Sequence, residues 1–166
     1  MNRLIPTAEM TLGPFFPREF GQGANDLTPA RGEVIEISGS VIQLDGKRLD
    51  NVILEIWQAD AQGRFDNPEF VGWGRAATDA NGKYSFKTIR PGAPAGRAPH
   101  INLLILYSGL MRQLQTVMFF ENGADPVLDA VQPVALRERL IAKKRGNAYV
   151  FDIRLRGEGE TPFFGD

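Results

Sequence analysis

The sequence predicts an all-β domain, a two-sheet β-sandwich with Greek-key-like connections, and three observations carry that reading. The 18 glycines and 11 prolines among 166 residues fall between short apolar runs instead of gathering in one tract, as turns do between strands. The runs are rich in β-branched and aromatic residues, and several alternate apolar with polar, the period of a half-buried strand. Asn-Gly and Asp-Gly pairs, which accept positive φ cheaply, separate successive runs.

Taken in order, residues 1–32 hold four Pro and four Gly together with Phe15, Phe16 and Phe20. Breakers at that density preclude a regular element, and so many aromatics do not suit a solvated tail. An extended N-terminal arm packed on something, another chain included, is expected. Residues 33–156 form the sandwich, with strand candidates at 34–42, 52–57, 83–88, 100–107, 115–120 and 149–155. In the last of these Tyr149, Phe151, Ile153 and Leu155 share one face and Asp152 and Arg154 the other. Asp45-Gly46 predicts one tight hairpin and Asp79-Ala80-Asn81-Gly82 a second. One short helix is predicted over 133–144: Pro133 suits the first helical position, Leu136 and Leu140 share a face, and Lys143, Lys144 and Arg145 crowd the end where the macrodipole favours cations. Residues 157–166 form a C-terminal tail that repeats the mixture of breakers and aromatics in Phe163 and Phe164. Two apolar ends of this kind point to an oligomer. No internal repeat is apparent.

Composition removes several classes of function. A formal net charge of -1 with both signs dispersed gives no electrostatic reason to bind nucleic acid or a membrane surface. The absence of cysteine excludes thiolate nucleophiles, disulfides, zinc fingers and iron–sulfur clusters. Arg3, Pro6 and Glu9 interrupt the stretch where a signal peptide needs an apolar run, so the chain reads as soluble and cytoplasmic.

The chemistry available to the remaining residues is sparse. With one histidine, a transition-metal site must be completed by carboxylate, phenolate or water, and His100 at the start of an apolar run reads first as a hydrogen-bonded histidine at the core edge. Ser38, Ser40 and Ser108 sit in no nucleophile elbow, which disfavours a hydrolase. Asp60 and Asp66 read as solvated turn residues rather than an acid–base pair. Gly72-Trp73-Gly74 reads as a loop, and Trp57 as a core residue.

Four segments together carry a resemblance. They are Thr11-Leu12-Gly13-Pro14-Phe15-Phe16; Leu54-Glu55-Ile56-Trp57-Gln58-Ala59-Asp60-Ala61-Gln62-Gly63-Arg64-Phe65; Gly74-Arg75-Ala76-Ala77-Thr78-Asp79 with Gly82-Lys83-Tyr84; and Ile89-Arg90-Pro91-Gly92 leading to Ala98-Pro99-His100-Ile101-Asn102. In order and spacing they resemble the intradiol ring-cleavage dioxygenases, specifically the protocatechuate 3,4-dioxygenase family. The resemblance implies a ferric iron held by two tyrosines and two histidines, the histidines two apart on a strand. Phe65 stands at the first tyrosine position, no Tyr lies between Pro91 and His100, and Asn102 stands where the second histidine belongs. His100 alone matches.

Such a broken set resembles the iron-free α-type subunit of that family, as do the Ala-Pro-His-Ile-Asn run and the C-terminal Gly-Glu-Gly-Glu-Thr. The implied partner is a homologous iron-binding β subunit, in a higher (αβ)n hetero-oligomer. The implied cofactor is Fe(III), bound by that partner and not by this chain. The implied substrates are O2 and a 4-substituted catechol, protocatechuate being opened to 3-carboxy-cis,cis-muconate. Thr11, Pro14 and Phe15 match positions that line the partner's substrate pocket. Phe15 replaces a tyrosine usual in α-type chains, and Ser108 aligns with an arginine that faces the substrate carboxylate. Arg112 either supplies that positive charge or is a surface residue. The alternative is a non-catalytic β-sandwich binding or scaffolding protein derived from a dioxygenase.

Overall fold

The computed structural model describes residues 24–28, 30–108, 110 and 112–165. Nine strands form two sheets: β1 Val34–Ile42, β2 Ile53–Gln58, β3 Trp73–Ala77, β4 Lys83–Ile89, β5 His100–Leu106, β6 Leu114–Phe119, β7 Lys143–Arg145, β8 Ala148–Val150 and β9 Ile153–Arg154. The first sheet has the order β4-β1-β8-β7, with β9 continuing the line of β8 along β1, and the second has the order β3-β2-β5-β6. Alternation decides which face is buried. Ile35 and Ile37 of β1, Phe86 of β4 and Tyr149 of β8 meet Leu54 and Ile56 of β2, Ile101 and Leu103 of β5 and Met118 of β6 in one inter-sheet core. Tyr149 packs edge-to-face on Phe120 with ring centroids 4.8 Å apart, a geometry that adds about 1 kcal/mol to the burial itself.

A second apolar cluster covers one end of the outer face of the second sheet. There Leu128, Val131 and Leu140 pack with Val117, Phe119 and Ala98. Two short helical pieces supply the cover: α1, Pro126–Ala130, capped by the Asp125 side chain, and a 3-10 helix, Val134–Leu140.

The two sheets and their strands follow the predicted architecture, with local corrections. The helix expected over 133–144 is a 3-10 segment that stops at Leu140, and Lys143–Arg145 form β7, because Gly146 adopts φ 63° and turns the chain back into β8. The α-helix lies earlier, at Pro126–Ala130. The turn at Asp79 to Gly82 forms, with Asp79 Oδ1 accepting from Asn81 N and Lys83 N, but it joins β3 to β4 in opposite sheets. It is a sheet-switching corner and not a ladder hairpin. The Asp45-Gly46 turn closes only the short Ile42–Arg48 bridge before the chain crosses to the other sheet. Gly72-Trp73-Gly74 is not all loop, since β3 starts at Trp73.

The run 149–155 is split. Asp152 Oδ1 accepts from Ser40 N at 2.9 Å where a backbone carbonyl would otherwise do so, so the ladder lapses while the register is kept, Ser38 opposite Val150 and Val41 opposite Ile153. The Phe151 carbonyl accepts the buried Tyr84 hydroxyl and lies 1.9 Å from where a Cβ on Gly39 would stand. Only glycine permits that approach. Burial, with the Asp152 charge adding to it, pushes the Tyr84 phenol far above its ordinary range, so this donor is never lost.

Both ends of the described chain are tied to sheet edges. Ala24 accepts from Arg75 N on β3 at 2.9 Å, while Asn25 and Leu27 bond to Lys87 on β4, bridging the two sheets. At the other end Phe164 N donates to Gln115 O at 2.8 Å, and Thr116 Oγ1 donates to Pro162 O. Phe163 packs against the inter-sheet core and Phe164 against the outer cluster. The C-terminal aromatics therefore lie along an edge of their own sheet, both half-buried. Among the described residues no helix is long and apolar enough to cross a membrane.

The Gly39 contact gives a direct test of the fold. Gly39→Ala is expected to cost at least about 3 kcal/mol, read as a drop in the urea midpoint; a loss under about 1 kcal/mol would mean that β1 and the Phe151 segment separate freely.

Candidate functional site

The site is built from a loop and a strand. Residues 59–67 fold around the carboxylate of Asp60, which is 1% exposed. Its Oδ1 accepts from Gln62 N and Arg64 N, both at 2.9 Å, and its Oδ2 from Arg64 Nε, Arg64 Nη2 and Asn67 Nδ2 at 3.1, 3.0 and 2.8 Å. Burial pushes this carboxyl up, but the hydrogen bonds from Arg64, Asn67 and Gln62 outweigh it and hold the group below its ordinary value. Asp60 is thus no solvated turn residue. It organises the loop that delivers Phe65, whose ring stacks on Trp57 with planes 2° apart and centroids at 6.4 Å.

Trp57 is 43% exposed and Phe65 42%, so Trp57 is not the core residue expected from its apolar strand. It lies on the outer face of the second sheet, opposite Trp73 on β3 and Asn102 on β5. Asn102 Nδ2 reaches Trp57 O at 3.4 Å. Two residues earlier on the same face, His100 is 3% exposed and packs against Phe119. Its Nδ1 donates to Ala98 O at 2.8 Å. Burial pushes the imidazole below its ordinary value, against the upward pull of that hydrogen bond and of Asp125, with Arg97 reinforcing the depression. The ring is neutral near pH 7.

The approach to His100 is held by a buried pair. Arg97 Nε donates to Asp125 Oδ2 at 2.7 Å, and Asp125 also accepts from Ala98 N and Val127 N. Burial raises the Asp125 carboxyl, but these donors outweigh it and keep it below its ordinary range. Between the shelf of Trp57 and Trp73 and the C-terminal Phe164 runs a groove of about 460 Å³, floored by Asn102, Leu104, Thr116 and Val117. Among the described residues the only charged one lining it is Glu55, which is paired with Arg75.

A family model described as Dioxygenase matches residues 19–157. The chain belongs to the intradiol dioxygenase family. It is 34% identical to a protocatechuate 3,4-dioxygenase alpha chain of Burkholderia cepacia over 99% of both chains. It is also 37% identical to a protocatechuate 3,4-dioxygenase beta chain of the same organism, covering 79% of this chain and 68% of that one. In structure it is similar to the dioxygenase domain of a dioxygenase carbohydrate-binding protein fusion from Streptomyces sp. SirexAA-E, with TM-score 0.65 and 27% identity over 95% of this chain and all of that one.

The family uses Fe(III), and the described residues at the positions that resemble its ligands offer an incomplete donor set. Phe65 has no oxygen to offer. His100 donates Nδ1–H to Ala98 O, the bond that also orients a metal-ligating histidine, while Asn102 presents a neutral amide. Among the described residues no three His, Cys, Asp or Glu gather as a metal cluster. The structure brings Phe65, His100 and Asn102 to one side of the second sheet. Ser108 and Arg112 share the loop between β5 and β6, the former half-buried and the latter exposed. That loop is at the opposite end of β5 from His100, about 20 Å along the strand. Thr11, Pro14 and Phe15 lie outside the described residues. Trp73 and the Arg97–Asp125 pair were not singled out from the sequence. Trp73 carried a signal in its neighbours Gly72 and Gly74, which admit close backbone contacts, whereas Arg97 and Asp125 meet across 28 residues.

Two expectations follow from the electrostatics. Asp60→Asn leaves an amide hydrogen facing donors and is expected to cost about 3 kcal/mol at neutral pH. Because the folded-state pKa of Asp60 is depressed, its contribution is present above the unfolded-state pKa and lost as pH falls through the carboxylate range; urea titrations from pH 7 to pH 3 should show the wild-type advantage over Asp60→Asn shrinking, and a constant gap would refute the role. His100, the only histidine, gives a single imidazole signal by NMR, expected to titrate below the ordinary value of 6.5; a midpoint above it would show that the ring is not held neutral by burial.

Proposed function

We propose that this chain is the iron-free α-type subunit of a protocatechuate 3,4-dioxygenase-type enzyme, working with a homologous β-type chain that binds Fe(III). The reaction opens a catechol ring between its two hydroxyl-bearing carbons, both atoms of O2 entering the dicarboxylate product. The observation that carries the reading is the donor set: the positions that resemble the family's metal ligands hold Phe65, His100 and Asn102, of which only His100 is a ligand type of that family. Similarity to an alpha chain over 99% of both chains supports it.

In this role the chain contributes half of the substrate pocket and no redox chemistry. Thr11, Pro14 and Phe15 shape the wall presented to the partner's site and exclude water from it. Ser108 supplies a hydroxyl, and Arg112 supplies positive charge for an anionic ring substituent, which needs a cation or several donors once desolvated.

Co-expression with a ligand-complete homologue, followed by purification on a tag carried only by this chain, tests the proposal. The expected product is a coloured complex that contains iron and takes up oxygen with protocatechuate. Thr11→Ala, or Pro14 replaced by a bulky residue, should raise KM or lower kcat about tenfold at unchanged iron content. A colourless protein purifying alone would favour the scaffold reading, and loss of iron from either variant would count against a pocket-only role.

A further inference from the structure

We infer that Asn122-Gly123 is a site of spontaneous deamidation in the folded protein, and that the fold shields Asn81-Gly82, the same dipeptide, from that reaction. The chemistry needs no enzyme. The backbone nitrogen after the asparagine attacks the side-chain amide carbon Cγ, the new C–N bond forms as the Cγ–Nδ2 bond breaks, and ammonia leaves with the proton lost by the attacking nitrogen. Water then opens the cyclic imide at either of its two carbonyls, giving aspartate or its β-linked isomer, isoaspartate. Nothing is oxidised or reduced. The step requires the attacking nitrogen to swing within bonding reach of Cγ, so a following glycine, with no Cβ in the way, favours it. A nitrogen whose N–H is already committed to an acceptor resists it.

The sequence has two Asn-Gly pairs, and the structure treats them differently. Gly82 is buried with φ 67°, its N–H donates to Asp79 O at 2.9 Å, and its carbonyl accepts from Val41 N at 3.1 Å. Asn81 N donates to Asp79 Oδ1 at 2.8 Å. The surroundings are filled as well, since a Cβ on Gly82 would stand 2.5 Å from Arg48 Cβ. Turning the peptide between Asn81 and Gly82 towards Cγ would break these bonds together. Asn122 and Gly123 lie in the connection between β6 and α1, and both are exposed. Among the described residues the Asn122 side chain makes no hydrogen bond and the Gly123 N–H has no acceptor. Gly123 stands outside the left-handed region, and a Cβ there would meet only Ala98 Cβ, at 3.7 Å. This peptide has room to turn. Its freedom is local, because Glu121 is paired with Arg90 on one side and Asp125 caps α1 on the other.

Either product places a new carboxylate between Glu121 and Asp125, whose own charges are already matched by Arg90 and Arg97. The loop lies against Ala98, which leads into β5 and His100. The margin of the outer face therefore becomes more negative as the protein ages.

The test follows the purified full chain over weeks at neutral pH and physiological temperature. Peptide mapping by mass spectrometry reads the gain of about 1 Da at each asparagine, and chromatography separates aspartyl from isoaspartyl peptides. In the folded protein Asn122 is expected to convert at least about tenfold faster than Asn81. In guanidinium chloride the two should differ by less than about threefold, because the protecting turn is gone. Gly123→Ala, which the open space accommodates, should slow conversion at position 122 about tenfold with unchanged thermal melting. Equal rates at the two sites in the folded protein, or an Asn122 that stays intact while the unfolded chain converts, would overturn the inference. So would a tenfold difference that persists in denaturant, since it would then come from neighbouring residues and not from the fold.

Discussion

The arrangement of the outer face depends on one buried carboxylate. Asp60 is closed off from solvent and surrounded by five side-chain and backbone donors. A charge in that position is tolerable only because each lone pair has a partner. The same residue works through its backbone: its carbonyl accepts from Gly63 N and from Gly92 N, and its own N–H donates to Arg64 O. Loop 59–67 is thereby locked against the segment that leads to His100. The lock is tight. A Cβ on Gly63 would stand 2.2 Å from Ala93 O, and one on Gly92 2.5 Å from Ala61 O. Phe65 lies on Trp57, and the strand of Trp57 sets the register of Asn102, so the geometry of the whole groove is inherited from this junction.

That dependence gives the outer face its form from this chain's own contacts. The loop is held by Asp60, and the strand by its ladder and by the Arg97–Asp125 pair. His100 has a structural occupation of its own, filling the space beside Phe119 and tying down Ala98. Phe65 replaces a polar ligand by a ring that gains from stacking.

Much of this was readable from the chain, and the failures have physical causes. The strands announced themselves by alternation and turn residues, and the grouping of Phe65, His100 and Asn102 on one side of the second sheet was implied by the order of the motifs. Trp57 was misread because apolar character was weighed before parity: it alternates with Leu54, Ile56 and Gln58, which are buried, and shares its face with Glu55. The leucine spacing of 136 and 140 suits an α-helix, but the stretch is caught between Pro133 and a new edge strand and winds as 3-10. Asp125-Pro126 is a sound helix start, yet five residues make too short a period to detect. Asp60 looked solvated because its ligands are backbone N–H groups and an arginine four residues on, which only the folded loop collects.

The parallel pairing of β8 and β9 with β1 has a consequence for how the molecule comes into being. Each strand of the second sheet, β2, β3, β5 and β6, lies between residues 53 and 119, so that sheet can assemble from nearby neighbours as the chain is made. The first cannot. One edge of β1 finds β4 within about fifty residues, but its other edge waits for Ala148 to Arg154, 112 positions further along by the constant register. Contacts so distant in the chain close slowly, and an unpaired edge invites pairing with the wrong chain in the meantime. The sandwich is therefore sealed from its C-terminal end, and until synthesis reaches those last strands the nascent protein carries an open template along its central strand.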